Sequence, residues 1–128
     1  PRTHYDRQHP ELRSMFVWGI FMSHEAHDET IHDDKFHYEL FATEERALEY
    51  LKSQEKWWRD FYNDPCITDV AKRNFFGWKT PDEAIRLFKE PAEICGEEDV
   101  WVLTRDYFSS TGAEMRERIM AKELSVKE

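Results

Sequence analysis

At 128 residues the chain has the length of one domain. A chain of that size buries roughly two thirds of its unfolded surface, enough for a core without covalent staples. Its aromatic content of 15%, with five Trp and nine Phe, excludes the composition of a disordered chain. A net charge of −9 speaks against direct nucleic-acid binding, which needs concentrated Lys and Arg.

The charge is unevenly spread. Residues 24–49 hold nine acids against Lys35 and Arg46, for −7, whereas residues 50–79 hold six bases against four acids, for +2. The negative field is therefore strongest in the first third and favours a basic partner. Cys66 and Cys95 stand in no C-x-x-C arrangement, as free thiols of a reducing compartment do. The longest apolar run, Met15 to Met22, is too short to span a bilayer. The first residues are polar where a secretory leader would be apolar. The expectation is a soluble, cytoplasmic protein.

In chain order, residues 1–13 lack periodicity and read as an N-terminal arm, with residues 14–128 as a single domain. Met15 to Ser23 is apolar at both alternating positions and predicts a strand buried on both faces. His24 to Lys35 is too charged for a core and predicts a long hairpin connection. Phe36 to Ala42 alternates, predicting a half-buried strand paired with the first. Thr43 caps a helix running to about Tyr62, with Glu44 and Glu45 in the first turn, where the helix dipole favours acids, and Pro65 beyond its end. Thr68 predicts a short helix through Arg73, and Phe75 to Lys79 a short strand. Thr80, Pro81 and Glu83 form a capping-box signature for a helix to about Lys89. Asp99 to Phe108 predicts a strand with Val100 and Val102 facing opposite to Trp101 and Leu103. A last amphipathic helix starts at Ser110 or Thr111, with Met115, Ile119, Met120 and Leu124 on one side. The fold class expected is α+β: a small antiparallel or mixed sheet of three or four strands, with amphipathic helices packed on one face. Thr43 to Lys52 echoes Thr80 to Lys89 at an offset of 37, which is either a duplicated unit or the convergence of two capped helices.

Four of the six histidines lie between residues 24 and 37, interleaved with carboxylates. Imidazole nitrogen and carboxylate oxygen suit zinc or another divalent ion. His24, His27 and His32, with Asp28 or Asp33, are the candidate ligands, and a metal-bound water would supply a hydrolytic nucleophile. HEAHD lacks the i, i+4 histidine spacing of a zincin helix. The same segment also reads as an acidic recognition loop, through Glu25, Asp28, Glu29, Asp33 and Asp34, or as a solvated connection. Trp57 and Trp58 are 100° apart on a helix, so Trp58 joins the apolar stripe while Trp57 lies near its edge. There Trp57 is either partly exposed or, as large aromatics usually are, packed with Trp58 under residues 66–79. Exposed Trp is enriched at binding hot spots. There is no G-x-S-x-G, no glycine-rich phosphate loop and no paired nucleophile and base in the sequence.

The expected function is a non-enzymatic, acidic protein-binding module without a cofactor, acting on a basic or nucleic-acid-binding protein. An inhibitor, an immunity-type protein or a phage-encoded antagonist would act in this way. The alternatives are a metal-dependent hydrolase built on the histidine cluster and a structural subunit of a homo-oligomer.

Overall fold

Strand β1 (Phe16–Ala26) opens a computed structural model that describes residues 16–26, 35–90 and 100–125. The expected N-terminal arm lies outside these residues. There follow β2 (Lys35–Phe41), helices α1 (Glu44–Asn63), α2 (Asp69–Phe75) and α3 (Pro81–Ala84), and strands β3 (Ile85–Glu90), β4 (Val100–Phe108) and β5 (Glu114–Ser125). The strands form one sheet in the order β2-β1-β5-β4-β3, with every neighbouring pair antiparallel.

This architecture overturns the expected α+β class with its three- or four-stranded sheet. The sheet is larger, and two of the anticipated helices are mostly or wholly strand. The capping box of Thr80 forms, its Glu83 carboxylate accepting hydrogen bonds from Thr80 N at 3.2 Å and Oγ1 at 2.8 Å. It supports only one turn, after which Ile85 and Leu87 alternate as core residues of an edge strand. The two echoing segments therefore fold differently. Phe75 to Lys79, expected as a strand, is the end of α2 and the turn after it.

The expected last helix is the central strand. Ile119 and Ala121 face the helices, while Met120 pairs with Phe21 and Val102 on the opposite side. The segment has good helix formers, but β1 and β4 supply ladder partners along most of its length, and that pairing outweighs local propensity.

Helix α1 lies across the sheet and buries Ala47, Leu51 and Trp58 on Trp18, Ile20, Leu103, Ile119 and Ala121. Thr43 caps it by accepting from Arg46 N at 3.2 Å. Glu44 ties its first turn to β4 by accepting from Trp101 Nε1 at 2.8 Å. Arg59 ties its last turns to α3 through Asp82 at 2.6 Å. Phe76, fully buried, fills the space between α2 and this core. On the far face the register aligns Phe36, Phe21, Met120, Val102 and Phe88 in one apolar row across all five strands.

Candidate interaction surface

Among the described residues, the end of α1, together with α2 and the turn after it, carries most of the large apolar side chains that remain in solvent. Trp57 is 57% exposed, as is 58% of Trp78, and Tyr62 and Val70 are exposed beside them in sequence. Helical spacing explains the pair expected from the sequence: Trp58 is buried in the core while Trp57, the next residue, emerges. Trp57 is braced from below, stacked on Phe61 with ring centroids 6.1 Å apart and tilted against Phe75 at 6.1 Å. Phe61 and Phe75 pack at 4.4 Å.

Under this aromatic layer lies a polar row formed by strand register. His24, Glu117 and Arg105 are successive cross-strand partners on β1, β5 and β4. Arg105 is almost fully buried. Its guanidinium lies 3.4 Å from Glu117, donates to the Phe75 carbonyl at 2.7 Å and sits 3.7 Å from the Phe75 ring centre. Tyr107 and Trp58 flank it at 4.8 and 5.2 Å. Burial pushes the Arg105 pKa down, against the opposing pull of Glu117. Tyr107 is pushed up, first by burial and further by Glu117, with Arg105 acting in the other direction. Its hydroxyl is hydrogen-bonded to His24 Nδ1 at 2.9 Å.

The sheet separates the expected site residues of β1. His24 faces the helices, whereas Glu25 turns to the far face, where its carboxylate is 4.0 Å from Arg116. Among the described residues, His24 shares a hollow of about 400 Å³ with Met22, Ser23, Lys35, Phe36 and His37 at the end of the hairpin that residues 27–34 connect. His27, Asp28, Glu29, His32, Asp33 and Asp34 lie outside the described residues. Among the described residues no three His, Cys, Asp or Glu side chains gather into a metal-binding group, and no helix is long and apolar enough to cross a membrane.

A second polar cluster stands on the far face. Asp106 accepts from Lys79 at 2.7 Å and from Arg116 Nε at 3.0 Å. Burial alone would raise its carboxyl pKa, but these hydrogen bonds and charges outweigh burial and hold it below the ordinary value.

Sequence reasoning missed Arg105, Tyr107, Glu117 and Trp78. The first three need the β4–β5 register, which no local pattern carries. The signal for Trp78 was Gly77, a helix C-terminal residue standing directly before it.

No family model matches the chain, and no curated protein or solved structure is significantly similar to it.

Proposed function

We propose that the chain is a non-enzymatic, acidic protein-binding module whose partner presents a basic surface. The observation that carries this reading is Trp57. A large indole stands in solvent on a platform of Phe61 and Phe75, so its orientation is set before a partner arrives. A preorganised aromatic anchor loses little conformational freedom on binding, and Trp is enriched among residues that dominate interface energetics. The partner's sign follows from the net charge of −9 and from the acids of residues 24–49. Such a field speeds encounter with a basic surface and sets its orientation. A nucleic-acid-binding protein fits this description, because carboxylates in its groove would stand in for phosphates.

The test is capture of a basic partner from native lysate, followed by affinity measurement with the purified pair. Replacing Trp57 by Ala should weaken binding at least about tenfold, mainly through faster dissociation. Neutralising Asp28, Glu29, Asp33 and Asp34 together should slow association and flatten its salt dependence. Binding that ignores both sets of changes, or that persists undiminished at high salt, would refute the proposal.

A further inference from the structure

Among the described residues, β2 is one edge of the sheet, and its outer backbone N–H and C=O groups meet no neighbouring strand. Natural edges are often blunted by Pro or by charged side chains along the strand. β2 has no Pro, and its single Lys stands at the first position. Phe36 pairs with Phe21 and Leu40 with Gly19, so both point to the far face of the sheet. Phe36 is 37% exposed and Leu40 56%. Gly19 gives Leu40 no side chain to pack on, and a Cβ there would meet the Leu124 side chain at 2.7 Å. Between these two pairs β1 supplies Ile20, whereas β2 supplies His37, Tyr38 and Glu39. The bulge leaves those three residues without a register partner on β1.

The alternate residues turn to the helix side. Lys35 pairs with Met22, which packs on the core. Phe41 packs on Tyr50 at 5.5 Å, and the Tyr50 pKa is raised first by burial and then by the nearby Glu39 carboxylate. Phe41 also lines an open hollow of about 470 Å³ with Arg46, Glu49, Tyr50 and Ser53.

This order of residues is complementary to itself when reversed. With residue 38 opposite its own copy, Phe36 faces Leu40 twice on the far side, and His37 faces Glu39 twice on the helix side. The second copy's Lys35 then lies beside Phe41, at the hollow that Glu49 lines. Moving the centre to residue 39 sets Glu39 against Glu39, and moving it to residue 37 leaves Leu40 opposite no strand residue. We infer that two copies of the chain pair antiparallel through β2, about a two-fold axis at residue 38 normal to the sheet, so that one sheet runs through both. The axis keeps the helices of both copies on one side. A second copy is the occupant this pattern selects, because the strand supplies an apolar neighbour for Phe36 and Leu40 and an ionisable base for the Glu39 carboxylate.

Sedimentation velocity on the full chain, from micromolar to near-millimolar, reads the association. A dimer should form, and Leu40→Lys and His37→Glu should each raise its dissociation constant at least about tenfold, the second by setting carboxylates opposite each other. Both side chains are exposed, so the variants should keep the fold, checked by circular dichroism. Glu39→Lys should weaken its own dimer. Mixed with fluorescently labelled His37→Glu, it should form a heterodimer tighter than either variant alone, because acid again faces base. Trp57→Ala should leave the dimer unchanged, which separates this surface from the one proposed to hold a basic partner. A chain that stays monomeric to near-millimolar would overturn the inference. So would a dimer that ignores Leu40→Lys and His37→Glu, that is lost with Trp57→Ala, or whose two charge variants fail to rescue each other.

Discussion

Replacing Arg105 by Met probes the pair at the centre of the polar row. The side chains of Arg105 and Glu117 are only 8% and 10% exposed, so neither charge has water to fall back on. The substitution removes the ion pair, the hydrogen bond to the Phe75 carbonyl and the stacking on three rings, while Met fills part of the volume. Removing one member of a buried pair leaves an uncompensated charge and costs about 3–5 kcal/mol. Urea denaturation at neutral pH measures the difference. The double variant Arg105→Met/Glu117→Leu, which buries no charge, should recover most of the loss. A single variant within about 1 kcal/mol of the parent, or a double variant no better than the single, would refute the account.

Two further outcomes follow from the same physics. Asp106→Asn should cost about 1.5–3 kcal/mol at neutral pH, because it weakens the charge-assisted bonds from Lys79 and Arg116. Since the folded pKa of Asp106 is depressed, its contribution is complete above the unfolded value near 3.9 and vanishes as pH falls through the folded one; denaturation curves of the two proteins should converge there, and a constant gap would contradict the assignment. Trp78→Gly should leave stability nearly unchanged. Trp78 has the left-handed φ of 63°, and Arg73 lies over its ring at 5.1 Å. Relief of that conformation, about 1–2 kcal/mol, is offset by the lost stacking with Arg73, about 0.5–1 kcal/mol at an exposed site, and by the entropy of Gly, also about 0.5–1 kcal/mol. A loss above about 1.5 kcal/mol in a urea midpoint measurement would make the indole a structural element instead.

The elements with one dominant period were legible. β1 is an apolar run as far as Met22, although pairing with β5 carries the strand on through His24, Glu25 and Ala26, which the sequence assigns to the connection. α1 has a cap and an apolar stripe, and β4 alternates with Trp101 and Leu103 opposite Val102. β5 was not, because Met115, Ile119, Met120 and Leu124 satisfy a helical spacing as readily as Ile119 and Ala121 satisfy a strand. What decides between them is pairing with β1 and β4, which are distant in sequence. The same error hid the site. With residues 114–125 read as a helix, Glu117 could not be placed opposite Arg105 and His24. Trp57 was only half legible: helical spacing puts it at the edge of the stripe, but the sequence favours packing under residues 66–79, and the structure leaves it 57% exposed.

The buried row and the exposed corner are mechanically one structure. Arg105 lies 3.7 Å below the ring of Phe75, Phe75 packs on Phe61 at 4.4 Å, and both carry Trp57. The guanidinium also holds the Phe75 carbonyl, which fixes the last residue of α2 and thus the turn that presents Trp78. A cation at the base of an aromatic stack is directional in a way that an aliphatic side chain is not, because its plane, its carbonyl bond and its carboxylate partner all constrain it together. A hydrophobic replacement for the pair would therefore restore stability without restoring the angle of the platform. On that argument the Arg105→Met/Glu117→Leu variant separates the two roles: it should unfold like the parent and yet bind a partner at Trp57 more weakly.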